Sequence, residues 1–271
     1  MINLGLALYN SIEFLKETLD SIIAQTYTDF EVIVVDDGST DGSGEFCESY
    51  GDPRIKVYYN KVNIGPLSTH EMIYDLGVGK YYMLAGHDDL LAPNYLELLV
   101  NELESNTNII FAFPDIYQIT FNENNYKNKR LLNLSSLYSD MSCVEKAKTF
   151  MLMPESGGKA NLFHSLIRKS VVKETNTLFE LFSLGGWGDD NLHIFRLLLE
   201  GEIKYVSGTS FTKRVAKRNS KHRWAIIPRV YDLKKEYLLN YQYIIKLSNI
   251  PDSDKQYLLH AAKQKYELGV Q

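Results

Sequence analysis

Paired carboxylates recur in this sequence at points where an apolar run gives way to turn-forming residues. Asp36 and Asp37 follow the apolar run at residues 30–35 and precede Gly-Ser-Thr-Asp. A second pair, Asp88 and Asp89, follows the apolar run at residues 80–85 and the dipeptide Gly-His. In open parallel sheets, ligands bind beyond the carboxyl ends of the strands, so both pairs are expected to face one crevice.

Four carboxylates in one crevice would repel a diphosphate. A divalent cation with oxygen ligands removes that conflict, and Mg²⁺ or Mn²⁺ is the natural choice. Each pair alone has a plainer interpretation. The segment Asp-Gly-Ser-Thr-Asp after the first strand is rich in residues that form turns and cap helices. The second pair could belong to one of the polar loops that often join a strand to a helix. The occurrence of both pairs in one chain favours a metal-assisted site for a phosphate-bearing ligand.

Hydrophobic periodicity indicates the elements that would position these carboxylates. Apolar runs predict strands at residues 2–8, 30–35, 55–59, 80–85 and 109–113. Helical spacing predicts helices at residues 14–23, 41–50, 66–76, 93–104, 190–200, 229–248 and 253–267. Strand and helix alternate over the first 115 residues, which predicts an α/β fold with a mostly parallel central sheet flanked by helices.

Bulk composition narrows the class of protein. The 271 residues include 29 Lys plus Arg and 34 Asp plus Glu, so the net charge of −5 disfavours non-specific nucleic-acid binding. Cys47 and Cys143 lack the spacing of a zinc site or a disulfide framework. Without a basic N-terminal region or an uncharged apolar stretch of about 18 residues, we expect a cytoplasmic protein.

Four motifs together resemble glycosyltransferase family 2, whose members are inverting enzymes with the GT-A (nucleotide-diphospho-sugar transferase) fold. They are Ala7-Leu8-Tyr9-Asn10, Gln25-Thr26-Tyr27-x-Asp29-Phe30-Glu31, Val34-Val35-Asp36-Asp37-Gly38-Ser39-Thr40-Asp41 and His87-Asp88-Asp89. The resemblance covers residues 2–100 closely and 155–205 more loosely. It implies a GT-A fold, to which we expect a C-terminal helical extension to be added.

The resemblance also implies roles for individual residues around a nucleotide. Asp37 would read the base edge of a uridine-type nucleotide, with Ala7, Tyr9 and Asp36 in the same nucleotide-binding set. Asp88 and Asp89 would form the DxD-like element, in which Asp89 binds the metal and Asp88 binds the ribose or a metal-bound water. The family usually has an Ala-Arg-Asn step after an Asn-x-Gly turn. Here His70 stands near that position and would replace the arginine beside the nucleotide.

A third carboxylate pair resembles the Glu-Asp motif of the family. In Trp187-Gly188-Asp189-Asp190, Asp190 matches the catalytic base, and Asp189 stands where glutamate is usual. Asp189 and Trp187 would line the acceptor site. The plainer interpretation is that both aspartates favour the positive N-terminal end of a helix.

The remaining segments lead to broader expectations. Residues 1–225 would form the transferase domain, with a nucleotide-binding half at 1–115 and an acceptor-binding half at 116–225, and residues 226–271 would form the helical extension. The basic segment 213–223 fits a solvated surface loop, a lid over the diphosphate, or a contact with anionic lipid. The Tyr-rich C-terminal helices are candidates for a homo-oligomer contact or peripheral membrane contact, although intramolecular packing is commoner.

The expected activity is inverting transfer of a sugar, a hexosyl or N-acetylhexosaminyl group, from a UDP-sugar to an acceptor hydroxyl. The acceptor would be a saccharide or a lipid-linked saccharide in cell-surface polysaccharide biosynthesis. Two alternatives stay open: a non-catalytic nucleotide-sugar-binding subunit and a sugar nucleotidyltransferase. The second usually carries a Gly- and Arg/Lys-rich N-terminal loop, which this sequence lacks.

Overall fold

A computed structural model describes residues 1–121, 127–137, 140–154, 157–175, 189–215 and 233–266. The strands are β1 (Ile2–Leu8), β2 (Phe30–Asp36), β3 (Ile55–Tyr59), β4 (Tyr81–Ala85), β5 (Leu90–Leu91), β6 (Ile109–Phe121), β7 (Lys127–Leu131), β8 (Leu166–Arg168) and β9 (Glu202–Val215). The α-helices are α1 (Ile12–Ile23), α2 (Ser43–Ser49), α3 (Pro66–Leu76), α4 (Tyr95–Ser105), α5 (Cys143–Leu152), α6 (Lys169–Thr175), α7 (Asp189–Glu200), α8 (Leu233–Leu247) and α9 (Asp252–Tyr266). Short 3₁₀ helices span Ser135–Leu137 and Lys159–His164.

The strands of the described residues form one sheet in the order β3-β2-β1-β4-β8-β6-β9-β5, and β7 pairs with β6. In its first half, β1 lies between β2 and β4, and all of the pairings from β3 to β4 are parallel. β1 and β2 are buried on nearly all positions because helices cover both faces. The register pairs Leu8 with Asp36, so the carboxyl ends of these strands meet at one edge.

The second half of the sheet mixes directions. β8 runs antiparallel to both β4 and β6, β9 runs parallel to β6, and β5 pairs antiparallel with β9. The parallel pairing expected from the sequence is therefore found among β1 to β4 and between β6 and β9, whereas β5, β7 and β8 pair antiparallel. Through this arrangement β9 pairs with Leu90 and Leu91, the two residues that follow the second aspartate pair.

β6 is longer than its apolar pattern predicts. The sequence suggests an end before Pro114, but the strand continues to Phe121. Its register against β9 shifts between Pro114 and Asp115, from Val206 to Ser210, so residues of β9 bulge outwards there. Proline has no N–H to donate and is tolerated in sheets at such bulges, which explains why the strand is not interrupted.

The C-terminal helices complete the main core. Tyr241 of α8 is fully buried and packs edge-on against Phe195 of α7, with ring centroids 4.6 Å apart. Lys265 of α9 donates a 3.1 Å hydrogen bond from Nζ to the Met153 carbonyl at the end of α5. The buried residues of α8 and α9 belong to the same apolar cluster as the sheet. This packing favours the intramolecular interpretation of the buried helix faces.

The helices in the described part of the chain were compared with the length and apolar character that a membrane-spanning helix needs. None of them is both long enough and apolar enough to span a bilayer.

Candidate active site

Asp37 connects the carboxyl ends of β1 and β2 to the loop before α3. Its backbone N–H donates to the Leu8 carbonyl at 2.8 Å. Its carboxylate accepts 2.9 Å hydrogen bonds from Asn60 Nδ2, Ile64 N and Gly65 N. Within the described part of the chain, Oδ2 accepts one bond, from Gly65, and its second lone pair has capacity for one further donor. Asp37 therefore orders the 60–65 loop at the rim of the crevice, and contact with a base stays a prediction.

Asp36 is buried like Asp37 and holds the turn that follows β2. Oδ1 accepts a 2.7 Å hydrogen bond from the Ser39 N–H. Oδ2 is buried and has no hydrogen-bond partner among the described residues. This oxygen lies below α2, where a Cβ added at Gly44 would come within 2.8 Å of it. Its local contacts account for the turn, so its predicted role at a nucleotide stays untested.

The loops after β1 and β2 are joined by reciprocal hydrogen bonds. Asn10 adopts a left-handed backbone conformation with φ 51°, and its Oδ1 accepts from the Thr40 N–H at 2.8 Å. Asp41 Oδ2 accepts from the Ile12 N–H at 3.0 Å, at the start of α1. Burial raises the pKa of Asp41, but hydrogen bonds from Ser43 and from the Ile12 N–H lower it further, so it lies below its ordinary value.

Two residues of the predicted nucleotide-binding set lie beside these joined loops. Ala7 is half-buried near the end of β1 and packs on a small apolar cluster that includes Val35. Tyr9, the first residue after β1, is exposed at 44% of its surface. Both residues lie at the carboxyl-terminal edge of the sheet, where the sequence predicts them.

Asp88 and Asp89 form a buried carboxylate pair at the carboxyl end of β4. Lys213 of β9 places its ammonium Nζ 2.8 Å from Asp89 Oδ2 and 3.6 Å from Asp88 Oδ1. The Arg214 N–H donates to Asp89 Oδ1 at 3.1 Å. Burial is the main effect and raises the pKa of Asp89, the charge of Asp88 adds to it, and Lys213 opposes it. An added Cβ at Gly86 would lie 2.9 Å from Asp89 Cγ, so a glycine is needed beside the pair.

Arg214 anchors the turn of the aspartate pair to α1. Its guanidinium is buried and donates to the Asp88 carbonyl, to Glu17 and, at 3.0 Å, to Thr18 Oγ1. Lys213 and Arg214 are the first two residues of the basic segment 213–223, and for them the solvated-loop interpretation is wrong. They belong to β9 and contact the carboxylates directly, whereas residues 216–223 lie outside the described part of the chain.

His164 extends the contacts of Asp89 and has no counterpart among the residues singled out from the sequence. Its Nδ1 bonds to the Leu84 carbonyl at 2.7 Å, so this nitrogen carries the proton. Its Nε2 therefore carries a lone pair and lies 3.9 Å from Asp89 Oδ2. Burial above all, and then the charge of Lys213, lowers the pKa of His164 to about 3. The ring is neutral at physiological pH and stacks on Phe211 at 4.8 Å.

Phe163 joins the elements that carry the other predicted residues. Its ring centroid lies 5.8 Å from that of His70 on α3, 5.9 Å from His164 and 5.7 Å from His193 on α7. We call these four side chains the Phe163 cluster. Burial lowers the pKa of His70 to about 4 and that of His193 to about 3, so all three imidazoles are neutral at pH 7.

Asp190 lies in the first turn of α7, one turn before His193. It is partly exposed, and its Oδ1 accepts a 2.8 Å hydrogen bond from the Asn191 N–H. His193 in turn reaches the Tyr82 hydroxyl at 2.9 Å. The structure thus brings Asp190 to a helix that contacts the Phe163 cluster. The Asp189 side chain and Trp187 lie outside the described residues.

The aspartate pair fits a hard divalent cation in part. Among the described residues, no group of three His, Cys, Asp or Glu side chains is arranged to hold a metal ion. Mg²⁺ and its relatives commonly take only one or two protein carboxylates and complete their shell with water and substrate phosphates. Asp88 and Asp89 could supply the one or two carboxylates of such a shell.

Comparison with known proteins places this geometry in a family. The family model described as Glycosyl transferase family 2 matches residues 5–171, which include β1 to β4 and both aspartate pairs. The chain belongs to this family. Membership confirms the family and the GT-A fold class that the motifs predict. The glycosyltransferase GlyA of Streptococcus pneumoniae is 29% identical over 232 residues, which cover 80% of this chain and 31% of GlyA. The chain thus spans about a third of that relative.

Solved structures show the same fold at low identity. TarS 1–349 of S. aureus in complex with UDP matches with a TM-score of 0.72 at 16% identity, covering 98% of this chain and 72% of that one. The mannosyltransferase PcManGT of Pyrobaculum calidifontis, in complex with GDP-Man and Mn²⁺, matches with a TM-score of 0.64 at 14% identity, covering 97% and 69%. The named relative is a glycosyltransferase and PcManGT is a mannosyltransferase, and at these identities the solved structures show that the fold is shared.

Proposed function

We propose that this chain transfers a sugar from a UDP-sugar to an acceptor hydroxyl with inversion of configuration at the anomeric carbon. The observation that carries the proposal is the buried Asp88–Asp89 pair with its cationic contact, at the carboxyl ends of the parallel strands. An anionic, metal-bridged diphosphate is the ligand class that such a pair suits. Complexes of structural neighbours with UDP and with GDP-Man support a nucleoside diphosphate sugar as the donor.

Asp88 and Asp89 would hold the divalent ion, Mn²⁺ or Mg²⁺. When bound, the ion supplies neutralisation of the negative charge that develops on the diphosphate leaving group. Asp37, Ala7 and Tyr9 would line the nucleotide, with Asp36 supporting the turn and His70 at its flank. The remaining acceptor capacity of Asp37 Oδ2 supports a donor group, such as a base N–H, at this position.

Asp190 would act as the general base. A carboxylate with an ordinary pKa of about 4 cannot deprotonate an alcohol in its ground state, so the proton moves as the glycosidic bond breaks and the hydroxyl acidifies. The Asn191 N–H bound to Oδ1 holds the carboxylate in place. Such base catalysis is worth about 10²- to 10⁴-fold in rate. Asp189 and Trp187 would contribute to the acceptor site.

The wider role follows from the family and from the expected compartment. We propose a saccharide or lipid-linked saccharide acceptor, a place in cell-surface polysaccharide synthesis and a cytoplasmic location with the option of peripheral membrane contact. Residues 1–225 would form the catalytic domain, divided near residue 115 into donor and acceptor halves, with 226–271 as the helical extension.

A paired substitution tests the roles of the two carboxylates. Nucleotide-sugar donors are first screened for thermal stabilisation with and without Mn²⁺, because a ligand that binds the folded state raises its apparent stability. With the donor so found, Asp190→Asn should retain donor affinity within about twofold and lose about 10²-fold or more in transfer rate. Asp89→Asn should instead lose the Mn²⁺-dependent part of donor binding.

Asp252→Asn serves as the control, because the Asp252 side chain is 98% exposed on α9 and its loss should change neither quantity. Unchanged turnover in Asp190→Asn would reject the base assignment. Donor binding without any transfer in the unaltered protein would favour a non-catalytic subunit. Formation of a nucleotide sugar from a nucleoside triphosphate and a sugar phosphate would favour a nucleotidyltransferase.

A further inference from the structure

Lys213 lies where two negative charges meet. Its side chain extends from β9 and is 26% exposed, and the ammonium Nζ lies 2.8 Å from Asp89 Oδ2 and 3.6 Å from Asp88 Oδ1. The two carboxylate side chains are only 9% and 1% exposed. The ammonium group therefore offsets one of the two negative charges of this buried carboxylate pair.

A divalent ion bound by both carboxylates would have to occupy the region that the Lys213 ammonium occupies. Like charges at separations near 4 Å repel strongly in a partly buried site, so the ion and the ammonium group compete for the pair. Lysine presents a compact charge on a flexible stem, which lets the ammonium group move while the backbone stays in place. Arg214 has no such freedom, because its buried guanidinium is held by Asp88, Glu17 and Thr18.

The register of β9 keeps Lys213 close to the site even after such a movement. The next residue donates its backbone N–H to Asp89 Oδ1, and β9 pairs with the residues that directly follow the aspartates. A displaced ammonium group would thus remain within reach of a diphosphate bound at the metal. A diphosphate is a partner that lysine binds as a point charge.

We propose that Lys213 is an internal counter-ion that competes with the divalent cation for Asp88 and Asp89, so that the cation binds tightly only together with a nucleoside diphosphate. The proposal rests on the proposed function, because the diphosphate is the anion that receives the ammonium group. Without a diphosphate, the ion and the lysine together exceed the charge of the two carboxylates. With one, the added phosphate charges accommodate both cations. Metal and donor are therefore expected to bind cooperatively.

The test measures Mn²⁺ affinity from the free-ion electron paramagnetic resonance signal, at pH 8, with and without UDP. Lys213→Met keeps the length of the side chain and removes its charge. Without UDP, the variant should bind Mn²⁺ tenfold or more tighter than the unaltered protein, equal to about 1.4 kcal/mol. With UDP the advantage should disappear or reverse, because the unaltered protein then gains a lysine–diphosphate contact. Lys213→Gln, checked with Lys213→Met by thermal melting, repeats the measurement if methionine impairs folding.

Lys80→Met is the matched control for the loss of one positive charge. Lys80 is half exposed, pairs with Glu104 and precedes β4, at the end of that strand opposite Asp88. It should leave Mn²⁺ affinity unchanged.

Three results would overturn the proposal, and they differ in what they say of the function. Equal Mn²⁺ affinity of Lys213→Met and the unaltered protein without UDP, with Mn²⁺–UDP still bound, rejects the counter-ion role alone. UDP binding that is independent of Mn²⁺ and is lost in Lys213→Met means that the lysine replaces the metal. Failure of the unaltered protein to bind Mn²⁺ or UDP under any condition rejects the donor site itself, and the counter-ion role with it.

Discussion

Replacement of His193 tests whether the Phe163 cluster makes the protein sensitive to acid. His193 is 6% exposed, lies against Phe163 and hydrogen-bonds to the Tyr82 hydroxyl. Burial lowers its pKa in the folded protein to about 3, and an unfolded histidine titrates near 6.5. Below pH 6.5, His193 binds a proton in the unfolded chain but stays neutral in the folded protein. Stability is therefore intact above this pH and falls as pH drops towards the folded pKa.

The size of the effect follows from the two pKa values. Between pH 7 and pH 5, the unfolded histidine becomes protonated while the folded one does not, which costs about 2 kcal/mol of unfolding free energy. Burial also lowers the folded pKa of His164 to about 3 and that of the partly buried His70 to about 4, so these two residues change stability in the same direction as His193.

The assay is urea unfolding at pH 7 and pH 5. His193→Gln should lose about 2 kcal/mol less than the unaltered protein between these two pH values. It should also be the less stable protein at pH 7, because a fitted ring is lost from the cluster. His260→Gln, on an exposed position of α9, is the control and should match the unaltered protein. An identical pH 7 to pH 5 difference in His193→Gln and the unaltered protein would refute the reasoning.

Three further substitutions test how the site is built. Gly86→Ala, whose Cβ would lie 2.9 Å from Asp89 Cγ, should weaken Mn²⁺-dependent UDP binding by tenfold or more in calorimetry, and wild-type affinity would contradict the close approach. Arg214→Met should lose about 2–4 kcal/mol in urea unfolding, because several buried hydrogen bonds disappear; a loss under 1 kcal/mol would argue against anchoring. Gly44→Ala should lower stability by about 1–3 kcal/mol through overpacking, and Gly157→Ala, which has open space around its Cβ, should not.

Local patterns predicted the framework of the site well. The apolar run at residues 30–35 became β2, which ends at Asp36, and the run at 80–85 became β4. Both strands are buried on two faces of the sheet, so nearly all of their residues are apolar. Such a continuous apolar run is visible in the local sequence. α5 is absent from the helices predicted by hydrophobic periodicity, although a local signal marks its start. The Ser142 hydroxyl accepts from the Glu145 N–H at 3.2 Å, as expected of Ser-x-x-Glu at a helix start.

The contacts that complete the site could not be predicted from spacing. Lys213 lies 124 residues after Asp89, and the pair meets only because β9 pairs with β5 and β6. A basic run predicts solvent exposure unless the pairing of its strand is known. The contacts of Phe163 and His164 could not be predicted from the sequence either, because a lone histidine after a phenylalanine has many structural roles. The catalytic, acceptor and nucleotide roles stay predictions for the same reason: they describe contacts with molecules, and the sequence encodes only the residues that would make them.

The packing of α8 and α9 has a practical consequence for anyone who shortens the chain. The family model ends at residue 171. Beyond it, the Tyr241 ring of α8 covers Phe195, and Lys265 of α9 donates a hydrogen bond to the end of α5. A fragment that stops after β9 would present an uncovered apolar strip to water and should associate or precipitate on expression. The end of the family model at residue 171 therefore falls inside the part of the chain that packs as one core.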